Sequence, residues 1–347
     1  MTPYSNDTPA SHTGMNVAAG PELAAAVTNA GGIGVIGGLG YTPKMLKRQI
    51  QEIKASLNDK NAPFGVDLLL PKVGNGARAT NYDYTKGALP ELIDAIIEGG
   101  AKLFVCAVGV PPKWAVEKLH SAGILCMNMI GAPKHVAKAL AVGVDIICAQ
   151  GGEGGGHTGD VPTSVLIPKV VDLCRGHLSP LTGEQVSVVA AGGIFDGRGL
   201  AMALSFGADA VWVGTRFICA TEAGAPPRHQ KGVTGAGYHD TIRTIIYTGR
   251  PLRVLRNKMN VDWEENRQSD IRRLAGEGTL PYMQAAAEMA TDDEAANMKL
   301  QIQLTPLLMG QAAGAITTVQ PAAEIIEEMM TGALQCLRGA TGQIAKL

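Results

Sequence analysis

Three short apolar runs, each carrying a cysteine, recur at nearly constant spacing: Cys106, Cys126 and Cys148 lie 20 and 22 residues apart. That interval holds one strand, one helix and two short loops. The runs are continuously apolar rather than alternating, as expected of strands buried on both faces of a parallel sheet. The same unit extends in both directions. Strands are predicted at Ile33–Ile36, Phe64–Leu70, Leu103–Val108, Ile124–Met129, Asp145–Ala149, Ser187–Ala191 and Ala210–Val213. Helices are predicted between them at Pro43–Leu57, Leu89–Ile97, Lys113–Ser121, Lys134–Val142, Thr163–Cys174 and Gly199–Phe206. Seven such strands, with an eighth expected at the start, predict an α/β chain folded as a (β/α)8 TIM barrel. An open doubly wound sheet is the alternative. The barrel is favoured because the glycine-rich turns suited to phosphate follow the last strands, not the first.

The beginning of the chain fits this scheme least well. Met1–Ala19 offers only Tyr4, Met15 and Val17 as larger apolar residues. Strand one is therefore expected to be short, about Met15–Ala18, unless the chain start is altered. After Val213 the strand–helix alternation stops. The expected organisation is a barrel over 15–220, a smaller, mostly helical insert over 221–305 near the barrel mouth, and closing helices over 306–338. In the last of these, Ile325, Ile326, Met329 and Met330 form an apolar face.

Charge narrows the partners. Thirty Lys+Arg against thirty-one Asp+Glu leave a net charge of −1, which excludes a strongly basic chain built for nucleic acid. No apolar run reaches the ~18 residues of a membrane span, and residues 1–14 lack the pattern of a secretory leader. The six cysteines form no C-x-x-C pair, and no H-x-x-x-H spacing points to a metal. A cytoplasmic protein with reduced thiols is expected. The end, Ala345-Lys346-Leu347, departs from the Ser-Lys-Leu peroxisomal address.

The most unusual segment is Gln150-Gly-Gly-Glu-Gly-Gly-Gly-His157-Thr-Gly159, directly after a predicted strand. In a barrel that places it on the C-terminal face, where active sites are built. Glycine has no side chain to bury, so its density there implies close backbone approach to a ligand. His157 ends the run. An imidazole titrating near neutrality would suit proton abstraction from a carbon acid. Glu153 is expected either to orient it or to be a solvated loop carboxylate. Two further small-residue turns, Ala191-Gly192-Gly193 and Val213-Gly214-Thr215-Arg216, follow consecutive strands. Their order matches a barrel phosphate site, with main-chain N–H groups and the Thr215 hydroxyl as donors. A phosphorylated substrate without any flavin would satisfy the same turns. The glycines of Gly31–Gly38 flank a strand instead of opening a helix, so they read as turn-makers and not as a dinucleotide fingerprint. His120, His135 and His177 are expected to be exposed; His229 and His239 lie in the insert, within reach of the mouth. Cys106, Cys126 and Cys148 read as small buried hydrophobes.

Together these segments resemble the nitronate monooxygenase family, formerly 2-nitropropane dioxygenase. Pro21-Glu-Leu-Ala-Ala-Ala-Val27, Ala30-Gly-Gly32 and Pro63-Phe-Gly-Val66 are similar to its N-terminal motifs, Thr248-Gly-Arg-Pro251 and Gly310-Gln-Ala-Ala-Gly314 to its C-terminal ones. The resemblance spans roughly residues 15–330. It implies FMN held non-covalently at the mouth. Gly192, Gly193, Gly214 and Thr215 would hold its phosphate, Gln150 and Gly155 would lie along the ring, and Met15 and Asp67 would lie near it. Asp67 departs from the asparagine of many relatives, and Gly154 from a common alanine. His157 matches the family's catalytic histidine. The implied reaction is oxidation of an alkyl nitronate or nitroalkane, a small carbon acid, with O2. The alternatives are an NAD(P)H:quinone or flavin enoyl reductase on the same scaffold, or a non-catalytic FMN-binding accessory protein.

Overall fold

The computed structural model describes residues 15–38, 40–73 and 76–344. Ten strands occur among them: β1 (Gly34–Gly38), β2 (Phe64–Leu69), β3 (Leu103–Val108), β4 (Leu125–Ile130), β5 (Ile146–Gln150), β6 (Gly156–His157), β7 (Ser187–Ala191), β8 (Ala210–Trp212), β9 (Thr241–Thr244) and β10 (Leu252–Leu255). Seven of these form one sheet in the order β1-β2-β3-β4-β5-β7-β8, every neighbouring pair parallel. Helices fill the crossovers, as the repeat requires.

The sheet has two apolar faces. Ile36, Val66, Leu68, Phe104, Cys106 and Cys126 pack outward against the helices. Val35, Val105, Met127, Cys148, Ala191 and Trp212 meet on the other side in one inner cluster. A flat sheet would hold β1 and β8 roughly 30 Å apart at about 4.8 Å per strand. Their side chains share a cluster, so the sheet is curled into a barrel. This is a TIM-type α/β fold whose core is mostly aliphatic, Met and Cys side chains, joined by Phe64, Phe104 and Trp212.

The expected first strand is corrected. Met15–Ala18 is a single helical turn, and among the described residues no strand precedes Gly34. One apolar β-branched residue in four, Val17, gives this segment little to bury on both faces of a sheet. Residues 1–14 lie outside the described residues. Gly34 also behaves differently from a turn-maker. It lies inside β1, and a Cβ there would stand 1.8 Å from the Ala24 carbonyl oxygen. The helix Pro21–Asn29 thus rests directly on the strand backbone.

After β8 the chain is mostly helical, but it also forms the β9–β10 hairpin, whose second strand pairs antiparallel with β6. The helix Ala322–Ile344 closes against the helix Gly197–Ser205. Ile325 and Met329 are buried in that contact, whereas Met330 is exposed. No helix among the described residues is long and apolar enough to cross a membrane.

Candidate active site at the C-terminal mouth of the barrel

The glycine-rich loop leaves β5 and is pinned at both ends. Gly151 N–H donates to Ala191 O at 2.9 Å and Gly152 N–H to Val161 O at 2.8 Å. Thr158 N–H donates to Pro251 O at 3.2 Å, and its hydroxyl donates to Gly151 O at 2.9 Å. Between these anchors Gly156 and His157 add to the β9–β10 hairpin, with His157 opposite Leu252. The Arg253 guanidinium grips the Gly152 carbonyl through both Nε, at 3.1 Å, and Nη2, at 2.9 Å. The histidine is therefore fixed by chain almost a hundred residues downstream.

His157 Nε2 lies 3.0 Å from Thr248 Oγ1. That hydroxyl also faces the Arg250 carbonyl at 3.3 Å. Burial pushes the imidazole pKa down from 6.5 to about 4, and the nearby Arg250 charge adds to the effect. This corrects the expectation of titration near neutrality: at pH 7 the ring is neutral and only a weak base. Arg250 is itself half-buried, with Nε donating to Asn81 Oδ1 at 3.1 Å. The Arg78 guanidinium is close enough to Arg250 to lower its pKa, and donates to Gly249 O at 3.0 Å. One cation, Arg250, thus acts on a neutral imidazole, an arrangement suited to an anionic substrate.

Glu153 does neither thing expected of it. Its carboxylate accepts from the Thr163 N–H, at 3.1 and 3.0 Å to its two oxygens, and from the Thr163 hydroxyl at 2.9 Å. It caps the helix Thr163–Cys174, where the partial positive charge of a helix N-terminus favours an anion. The Thr163 hydroxyl also lies 2.8 Å from Gly192 O, so this cap ties the glycine loop to the turn after β7.

That turn has the backbone its glycines were expected to provide. Gly192 and Gly193 have φ of +93° and +72°, and a Cβ on Gly192 would stand 2.8 Å from Gly151 O. Gly214 immediately precedes the short helix Thr215–Ile218. The Thr215 hydroxyl accepts from Gly310 N–H at 2.9 Å, which leaves its own proton to donate. Gln150 turns back, its Nε2 donating to Gly155 O at 3.2 Å. Gly155 presses on the Met309–Gly310 backbone, only 2.6 Å from where its Cβ would be. Met15 begins the first helical turn; its side chain lies outside the described residues.

Asp67 lies near the mouth end of β2. Val66 and Leu68 belong to the outer layer, so alternation turns Asp67 inward, in register with Gly37 and Val105. Its Oδ1 is buried and finds no hydrogen-bond partner among the described residues. An orphaned carboxyl oxygen on the inner face near the mouth, between Gly37 and Val105, fits a bound heteroaromatic ring such as that of FMN. Burial pushes the carboxyl pKa up from 3.8 to about 7.

The other histidines divide. His177 and His239 are exposed. His229 is buried, with Nε2 2.8 Å from Leu308 O, and serves the packing of the insert. His120, expected to be exposed, instead lies 2.8 Å from the buried Asp145. The sequence marks Thr248 and Arg250 only as members of the Thr248–Pro251 motif and does not single out Arg253. The available signal was Thr248-Gly-Arg-Pro251, a polar turn between two apolar runs.

Residues 5–332 match the family model described as nitronate monooxygenase. A nitronate monooxygenase of Pseudomonas aeruginosa is 32% identical, over 70% of this chain and 75% of that protein. The 5-hydroxy-7a-methyl-1-oxo-octahydro-1H-indene-4-carboxyl-CoA dehydrogenase of Mycobacterium tuberculosis is 36% identical over 72% of this chain; the match spans 64% of that enzyme, just under two thirds of its length. The solved structure of FabK from Thermotoga maritima superposes with a TM-score of 0.71 at 27% identity, covering 99% of this chain and 100% of that one.

Proposed function

Since the chain belongs to the nitronate monooxygenase family, we propose that it is an FMN-dependent enzyme oxidising alkyl nitronates with O2. The observation that carries this reading is the His157 imidazole at the end of the glycine-rich loop, held 3.0 Å from Thr248 Oγ1 and close enough to the Arg250 guanidinium for that charge to lower its pKa further. The residues that would hold FMN are Gly192, Gly193, Gly214 and Thr215 at the phosphate, with Gln150, Gly155, Asp67 and Met15 about the ring. Bound there, FMN would supply the redox chemistry between substrate and O2. The chain's own residues position the substrate. Arg250 attracts the delocalised anion. The Thr248 hydroxyl has one proton: given to Nε2 at 3.0 Å in preference to the more distant Arg250 carbonyl, it leaves the ring proton on Nδ1, to be donated to a nitronate oxygen. With its pKa near 4, His157 is poorly matched to removing a proton from a neutral nitroalkane. The preformed nitronate is therefore the favoured substrate, and the histidine orients it.

Anaerobic mixing tests this reading. FMN-loaded protein is expected to bleach rapidly with propane-2-nitronate and only slowly with NADH. The reverse order would establish the reductase reading, which draws support from the likeness to FabK. FMN-loaded protein bleached by neither would leave the accessory reading, and protein that takes up no FMN would leave the flavin-free, phosphorylated-substrate reading. Arg250→Met is expected to raise KM for the nitronate about tenfold, the worth of one charge-assisted contact, with a smaller change in kcat. Steady-state rates with nitronates of increasing size check this, and an unchanged KM would remove Arg250 from substrate binding.

A further inference from the structure

The Asp67 carboxyl lies in surroundings that favour its uncharged form. Val105 flanks it on β3 and Gly37 on β1. The titratable groups that feel its charge are Tyr41, before the helix Pro43–Ser56, Cys106 on β3 and Cys148 on β5. Burial pushes the pKa of all three up, so none of them ionises at neutral pH. No cation is among the groups that shift Asp67; the Ala107 N–H is the only one acting in favour of the carboxylate. A carboxylic acid here carries one proton and needs one acceptor. Oδ1 has no partner among the described residues, which leaves the acid free to pair with an acceptor brought by the occupant of the mouth.

On the reading that this mouth holds FMN, we propose that Asp67 binds the flavin as a carboxylic acid, donating its proton to a carbonyl or imine acceptor of the ring. An amide at this position would donate at every pH. The acid donates only while protonated, and the carboxylate that replaces it presents lone pairs to lone pairs. The barrel thereby couples cofactor retention to pH through one side chain. Since the carboxyl titrates near pH 7 without ligand, flavin affinity is full below that value and falls as pH rises through it.

FMN titration followed by quenching of flavin fluorescence, between pH 6.5 and 8.5, reads this directly. Kd is expected to rise roughly 25-fold across that range in the wild-type protein, as the binding-competent fraction shrinks. Asp67→Asn is expected to keep FMN and flatten the curve above pH 7, leaving only the ionisation of the ligand's own phosphate at the lower end. A second measurement needs no variant. Calorimetry of FMN binding at pH 8 in two buffers of different ionisation enthalpy is expected to show net proton uptake. A wild-type Kd independent of pH, a Kd that falls with pH, or binding without proton uptake would overturn the assignment to Asp67 while leaving the flavin reading intact. Absence of FMN binding at every pH would overturn both.

Discussion

Truncating His157 to alanine is expected to leave FMN bound and to lower kcat/KM for an alkyl nitronate by about 10²–10³-fold, the usual worth of one preorganised donor at a reacting centre. The imidazole contributes nothing to the phosphate turn, so flavin affinity is expected to move little. What is lost is a ring held 3.0 Å from Thr248, on a strand that Leu252 fixes in register. Stopped-flow reduction of the FMN-loaded variant by nitronate, without O2, isolates the step. A rate equal to wild type would remove His157 from substrate positioning. The pH dependence gives a second check. With its pKa lowered to about 4, the wild-type imidazole stays neutral from pH 5 to 8 and imposes no inflection there. A histidine at its ordinary 6.5 would impose one. Stability carries the same signature with a defined sign. Between pH 6.5 and 4 the unfolded chain binds a proton at this position that the folded chain refuses. The wild type therefore loses stability as pH falls through that window, and the alanine variant lacks this part of the loss. Thermal melts of both proteins at pH 7 and pH 5 should show the gap between them shifting in favour of the variant at the lower pH.

Most of the barrel can be read from the chain because its signal is local. Leu103–Val108 is a strand's length of apolar residues and Phe64–Leu69 is one but for Asp67, and burial on two faces leaves few other uses for them. The helix Pro43–Ser56 announces itself through Thr42, whose hydroxyl caps Met45 N–H at 3.2 Å, and through Pro43 in its first turn. The segment Met15–Ala18 carries no comparable pattern, and it folds as a turn of helix. The site was legible where backbone conformation decides it. Gly192 and Gly193 take the positive φ that the turn requires. It was illegible where partners come from far along the chain. Glu153 is a helix cap because Thr163 lies across the loop from it, and nothing in Gln150–Gly159 states that. The His157 pKa depends on burial beneath a hairpin whose residues follow it by nearly a hundred positions. Side-chain identity named the histidine; only packing shows that it is neutral.

The same long-range logic makes Asp145 the most consequential residue outside the mouth. It lies just before β5, at the opposite end of the barrel, with its side chain 1% exposed. One carboxylate oxygen accepts from Cys126 N–H at 2.7 Å and lies 2.8 Å from His120 Nε2. The other accepts from the Ser179 hydroxyl at 2.6 Å. Ser179 Oγ in turn accepts from Leu181 and Thr182 N–H, so the loop entering β7 hangs on this carboxylate. His120, Cys126 and Asp145 also present ligand atoms within 4.8 Å of one another. The donors already around the carboxylate account for its burial as a hydrogen-bonded strut. Asp145→Ala strands a backbone N–H, a hydroxyl and an imidazole at once, and a broken buried network of this kind costs about 3–5 kcal/mol. At about 2.1 cal/mol/K per residue over 347 residues, that lowers Tm by roughly 4–7 °C. FMN affinity and nitronate turnover at 20 °C are expected to be retained, because the strut and the mouth lie at opposite ends of the strands. Asp145→Asn keeps the volume and one acceptor, and should fall between the two. Differential scanning calorimetry of the three proteins, paired with the anaerobic reduction assay, separates the roles. A Tm unchanged in the alanine variant, or a selective loss of turnover with stability intact, would contradict the strut.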